Sequence, residues 1–367
     1  MTSGGISLTT ALRRFASGWN EFFHAPQDTR VCALVRIAYA LVLLVNLAVL
    51  YPDLALWFTD DGVLPLQVSR EIGEPHQWSL LWPWPSTLAV VQVGYWLLVG
   101  HTFLLLVGLA SRLNALAVLA WLISFQHRNP VILDGEDLVF RLLAFYLILM
   151  PCGRNWSVDA AVAAWWRKDR RQGSGVRRQE TAADAVAHST THHSPLTAPA
   201  VSSSLSPVSS PLAPAFGLRL LQIQMAVIFF TAGLWKLGGE PWLNGTALYY
   251  VARMDDYFGR FPVPAILFDT PWIVALLTWA VVIAELAIPV LIWFRETRRL
   301  CLVAVVLFHL ANEWTMHLFL FHWIMLVGWL AFVRPEEIRG LGLGARAREE
   351  DQEPESEHAP SFSSPSP

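Results

Sequence analysis

Apolar residues in this chain fall in long unbroken runs, with no two-residue alternation of apolar and polar positions. Residues 31–50, VCALVRIAYALVLLVNLAVL, hold one charge in twenty positions. A helix of that length crosses a hydrocarbon core of about 30 Å. Further runs lie at 87–110, 113–126, 138–152, 218–237, 272–294, 300–314 and 316–333. The pattern predicts an all-α fold, a polytopic membrane helical bundle of about eight transmembrane helices with no large extramembrane domain. The third, fourth and seventh runs are short, as tilted, broken or re-entrant helices would be. The first is too long for a signal-peptide core and lacks a small-residue cleavage site, so it is expected to be retained.

The segments between the runs set the organisation. Residues 8–24 mix Leu, Phe and Trp with Arg13 and Arg14, as a helix lying in the membrane interface does. Residues 167–215 are Arg-rich and then Ser/Pro/Ala-rich, and 349–367 are acidic and Ser/Pro-rich, compositions that do not build a core. The expected layout is a cytoplasmic leader with an interfacial amphipathic helix at 1–30, a first transmembrane half at 31–164, a disordered cytoplasmic linker at 165–216, a second transmembrane half at 217–335 and a disordered tail at 336–367. Cytoplasmic loops hold the excess of Lys and Arg. With the N-terminus inside, the inner segments carry 18 basic residues and the outer ones five: Arg70, Arg128, Lys236, Arg253 and Arg260. Both termini are then cytoplasmic, and Arg36, Arg141 and Arg219 are left inside spans.

Composition supports the same class. Hydrophobic residues make up 54% and charged ones only 15%, against about 25% charged in a soluble domain. A soluble enzyme and a disordered binder are excluded, and lipid is the expected partner of the apolar surface. A net charge of −3 argues against a nucleic-acid partner, which calls for a basic face. The 18 Trp and 20 Phe suit interfacial aromatic belts. Cys32, Cys152 and Cys301 lie in apolar runs, with no disulfide or metal spacing. His188, His192 and His193 have no carboxylate or Cys spaced to complete a metal site, so no metal is expected.

Polar groups inside spans are costly and therefore candidates for function. Lys236, in IFFTAGLWKLGG, sits between Trp235 and Leu237, one turn after Gly233, where a neighbouring backbone can come close. Two readings of it stand: a desolvated, neutral amine able to accept a proton, or a charged side chain snorkelling to the headgroups past Gly238 and Gly239. Glu285, four residues before Pro289, must be protonated, paired or in a wet cavity. His309, Asn312 and Glu313 share a helix face, as a polar seam or as helix-helix glue. His317 and His322 are weaker candidates. The outer segments add Asp53, Asp60 and Asp61, the aromatic Trp242, and a loop with His127, Arg128, Asn129, Asp134, Glu136 and Asp137, either a site or ordinary solvated loop.

Four segments together resemble the integral-membrane part of the vitamin K-dependent γ-glutamyl carboxylase and its bacterial relatives, the HTTM (horizontally transferred transmembrane) proteins. They are DDGVLP at 60–65, LLAFYLILMPCGRNWSVD at 142–159, QIQMAVIFFTAGLWKLGGEPWLNG at 222–245 and FHLANEWTMHLFLFHWIML at 308–326. The resemblance implies a quinol-dependent carboxylase or epoxidase, with Lys236 matching the family's general base and Trp235 replacing the lysine before it. It implies Glu285, His309 and Asn312 as further catalytic positions. A substrate pocket would draw on Asp60, Asp61, His127, Asn129, Glu136, Trp235 and Trp242. The implied cosubstrates are reduced vitamin K, O2 and CO2, with a protein or peptide glutamate as acceptor, and the site would face outside, the periplasm in a bacterium. Two departures stand against full carboxylation. The carboxylase's WNNH element falls on Leu133, Asp134, Gly135 and Glu136, which lack its histidine, and the sequence after 333 is too short for a β-rich lumenal domain. A non-enzymatic transporter or assembly scaffold that keeps the fold is the alternative.

Overall fold

The computed structural model describes residues 8–166, 212–214 and 216–340. Its main helices are α1 (Leu8–His24), α2 (Arg30–Leu50), α3 (Leu88–Val107), α4 (Ser111–Arg128), α5 (Gly135–Leu149), α6 (Phe216–Leu237), α7 (Pro271–Leu291), α8 (Arg298–Thr315) and α9 (Phe321–Trp329). Among the described residues the only sheet is a pair of three-residue strands, β1 (Pro26–Asp28) and β2 (Leu212–Pro214), antiparallel with Gln27 opposite Ala213. The protein is an all-α bundle. The expected disordered linker lies outside the described residues from 167 to 211, together with His188, His192 and His193. The expected tail does so from 341. Its expected edges are structured instead: 158–166 are helical, 212–214 form β2 and α6 already begins at Phe216.

Among the described residues, four helical stretches are long and apolar enough to cross a membrane: Arg30–Phe58, Leu88–Val107, Phe216–Leu237 and Pro271–Leu291. The other four expected runs are also helical but shorter or more polar. At 15 residues, α5 reaches about 22 Å. The run at 316–333 is not one helix. Met316 forms a bridge with Phe258, His317 N donates to Tyr257 O, and Leu320 takes a left-handed φ of 50°. These ties to the outer segment hold 316–318 out of the helix and a turn follows at 319–320, so α9 begins only at Phe321.

Local chemistry sets the other ends. Asp28 accepts from the backbone N of Arg30 and from its guanidinium at the start of α2. Asp134 and Asp137 form a capping box on α5. Pro271 opens α7 at a position where no N–H is needed. α3 stops at Gly108, whose φ is 74° and where an added Cβ would lie 1.9 Å from an Arg36 nitrogen. Only glycine suits both the conformation and the space.

Successive helices from α2 to α7 pack as neighbours, and α9 closes the bundle by lying against α2, α5, α6 and α8. Tyr39, Leu43, Phe140, Leu143 and Leu147 form the buried middle, with the Tyr39 hydroxyl donating to Phe140 O. Outside it, Leu113, Val303, Leu307, Leu276 and Ile283 are exposed on helix faces, as lipid contact requires. On α1, Leu12, Phe15 and Trp19 are exposed, while the Phe22 ring packs at a tilt against Trp293, 5.7 Å away, and lies under Arg219 at 4.8 Å. That is the arrangement of an interfacial helix, apolar side outward and tied to the bundle at one end. All three cysteines are buried free thiols.

Candidate functional site

Gly233 lets α7 come against α6. A Cβ there would meet Leu286 Cδ2 at 2.8 Å and Glu285 Cβ at 3.2 Å, so a larger residue would push the helices apart at this level. One turn on, Lys236 Nζ donates to Glu285 Oε1 at 2.7 Å. The Lys236 side chain is 22% exposed and that of Glu285 only 7%. Trp242, from the short helix Glu240–Leu243 that follows the Gly238–Gly239 turn, places its ring 5.1 Å from Nζ, where the face of the ring attracts a cation.

The carboxylate is only half used: Oε2 of Glu285 is buried with no hydrogen-bond partner. Pro289 adds to this. A proline has no N–H to give the carbonyl four residues back, which is that of Glu285. Glu285 therefore keeps an unsatisfied acceptor, sealed in the helix contact beside the lysine. Of the two sequence readings of Lys236, neither a free dry amine nor a lone snorkelling cation describes what is seen. It is a partly shielded member of an interhelical acid-base pair.

Deeper along α6, Phe229 packs its ring 5.6 Å from that of His309. His309 Nδ1 lies 3.2 Å from His322 Nδ1, one ring donating and the other accepting. Both imidazoles are buried, and both Nε2 atoms lack partners. Beside them Arg260 NH1 donates to Glu313 Oε1 at 2.5 Å. Asn312 does not join this group, because its amide turns back to Phe308 O at 2.8 Å. Trp235 points away from Lys236 into the surroundings and is 85% exposed.

Among the described residues of the second half, two pairs able to share a proton and one arginine–glutamate ion pair thus lie on α6, α7, α8, α9 and the 254–262 segment. Residues 200–336 match the HTTM domain. This match and the apolar helices make the chain a membrane protein. No solved structure matches the chain. The matched region holds Lys236, Trp242, Glu285, His309, Asn312 and the two residues that sequence reasoning undervalued, His322 and Arg260. His322 follows His309 by 13 positions, across a break in the helix, so helical spacing could not pair them.

The remaining candidates lie before the matched region and are engaged differently. Arg128 is fully buried and donates to Ser86 Oγ at 2.9 and 3.1 Å and to Leu64 O at 3.0 Å. Asp60, 3.8 Å from it, accepts from Leu66 N. Asn129 donates to Trp57 O, and His127 Nδ1 lies 2.8 Å from Trp78 O. These side chains pin the 51–87 segment onto the end of α4. Asp61 is exposed. Glu136 is buried in the first turn of α5 with Oε2 unpartnered, next to Gly135, which Phe321 of α9 closely approaches. The WSVD element is a structural lock: Trp156 O accepts from Arg36, and Asp159 accepts from the N–H groups of Ala110 and Ser111.

Proposed function

We propose that this protein acts on a lipid-soluble quinol, with the Lys236–Glu285 pair receiving the hydroxyl proton and Lys236 as general base, in the manner of a vitamin K-dependent carboxylase or epoxidase. The observation that carries this reading is the pair itself: a lysine 2.7 Å from a buried carboxylate whose second oxygen has no partner. Such a pair holds one shared proton. When that proton rests on Glu285, the amine has a free lone pair and can take a proton from an incoming hydroxyl. The buried, unpartnered Oε2 leaves Glu285 a second place for the shared proton, and the face of Trp242 supplies a flat apolar wall. A phenolic ring with one acidic hydroxyl fits these groups. A quinol, when bound, would supply the reducing equivalents for reaction with O2, and CO2 would enter only if a glutamyl acceptor is also used. Lys236 and Glu285 hold and move the proton, and the surrounding apolar helices exclude water. By the distribution of basic residues, both termini face the cytoplasm and the pair faces outside.

The test is quinol epoxidation by purified protein in membranes, with and without a glutamyl peptide and bicarbonate. Lys236→Ala should abolish epoxide formation. Equal turnover in the variant and the parent removes the base from the mechanism. A second reading, a transporter or assembly scaffold, is favoured by the same pair seen as interhelical glue, with Glu285 and His309 each buried against a partner. Absence of epoxide from the parent protein, with Lys236→Met lowering only its stability, would favour this reading.

A further inference from the structure

The helical stretch at 158–166 leaves the bundle and is exposed on every side from 161 onward. Ser157 caps it, its Oγ accepting from Ala160 N at 3.0 Å. Asp159 in its first turn accepts from Ala110 N at 2.8 Å and from Ser111 N at 3.2 Å. These bonds pin the start of the helix to the turn where α3 ends. Because α3 is long and apolar enough to cross a membrane, that turn lies at a membrane surface, and so does the helix attached to it.

Its sequence, VDAAVAAWW, is apolar except for Asp159. Val158, Val162, Trp165 and Trp166 follow one another at spacings of four, three and one, which puts them on one helix face, and all four are exposed. The indole rings of Trp165 and Trp166 meet at 5.2 Å. A contiguous exposed apolar face marks an interaction site, and tryptophan at the level of a membrane surface favours the headgroup region. The charge beside this face is positive. Arg112 is exposed and lines one cleft with Asp159, whose carboxylate is already engaged by the two N–H groups. Past Trp166 the sequence continues RKDRR, four cations to one anion. We propose that the apolar face of the 158–166 helix docks on an anionic lipid leaflet, its valines and tryptophans entering the interface while the neighbouring cations select negatively charged headgroups. This docking does not depend on the function proposed above.

The experiment places the full chain in nanodiscs of dioleoyl-phosphatidylcholine, with or without dioleoyl-phosphatidylglycerol, with a nitroxide on Val162→Cys. The native cysteines are buried, and the parent treated with the same reagent controls for them. Collisions of the nitroxide with oxygen, which concentrates in lipid, are compared with collisions with a neutral nickel chelate, which stays in water, to give the ratio of docked to free helix. Each cation close to an anionic surface is worth about fivefold in binding, so phosphatidylglycerol should raise that ratio by at least about fivefold. High salt should remove the rise. W165S/W166S should leave the label free in both lipids, and a label on Ala164→Cys, on the opposite face, should stay in water throughout. A ratio that is the same with and without phosphatidylglycerol overturns the proposal. So does a label on Val162→Cys that stays shielded in W165S/W166S, the result expected if protein and not lipid covers this face.

Discussion

Arg128 and Lys236 are both cations set among apolar helices, yet the two halves of the chain settle them in opposite ways. In the first half, Arg128 and Arg36 are fully buried and are held chiefly by oxygen atoms of the backbone and of serines. A guanidinium presents five donors in a fixed plane and keeps its proton at any working pH. It can clamp several segments at once, and it cannot exchange a proton. In the second half, cation and carboxylate are paired directly, as Lys236 with Glu285 and Arg260 with Glu313, and two histidines face each other. Lysine, glutamate and histidine can each give up or accept a proton. The first half uses its buried charge to hold shape, and the second concentrates the groups that can carry chemistry.

Breaking an arginine clamp should have the largest effect on the fold. Arg128→Leu leaves the Leu64 carbonyl and the Ser86 hydroxyl without their donor and should lower stability by about 3 kcal/mol, read as thermal unfolding in detergent. Arg128→Lys should recover less than half of that loss, since one ammonium cannot reach all the partners. An Arg128→Leu variant that melts with the parent would show that the clamp is dispensable.

Next comes the acid-base pair. Glu285→Leu strands a lysine that is still about a fifth exposed, so solvent softens the loss to about 2 kcal/mol. The double variant Lys236→Met/Glu285→Leu should be more stable than Glu285→Leu alone, with a coupling of about 1 kcal/mol in the double-mutant cycle. Strict additivity would mean that the two side chains do not interact.

The histidine contact should matter less again. His322→Phe keeps the ring and loses one hydrogen bond, about 1 kcal/mol, and a shift as large as that of Arg128→Leu would contradict a simple paired-imidazole contact. Trp235→Ala should be smallest, under about 0.5 kcal/mol, because the ring is almost wholly exposed. A larger loss would place Trp235 in an interface with another molecule.

Much of the bundle was legible because a membrane demands long apolar runs, and such runs announce themselves one at a time. The breaks were less so. Nothing local marks 316–320 as a break: the bridge and hydrogen bond that hold Met316 and His317 come from Phe258 and Tyr257, some sixty residues earlier. α3 likewise ends where Arg36 reaches across to it. Lys236 and Glu285 each stood out as a charge in an apolar run, and Gly233 signalled a close neighbour. Their pairing was not visible, since 49 positions separate them on different helices. Sequence reasoning also set the 127–137 loop beside Lys236 on grounds of sidedness alone. In the structure His127, Asn129 and Asp60 serve the backbone of the 51–87 segment instead.

The short β1–β2 pairing ties the chain just before α2 to the chain just before α6, and α9 wedges between helices from both sides of the long intervening stretch. Covalent continuity between 167 and 211 is then redundant for holding the bundle together. Two polypeptides translated separately, divided in that interval, should find each other in the bilayer and copurify through a tag on either one.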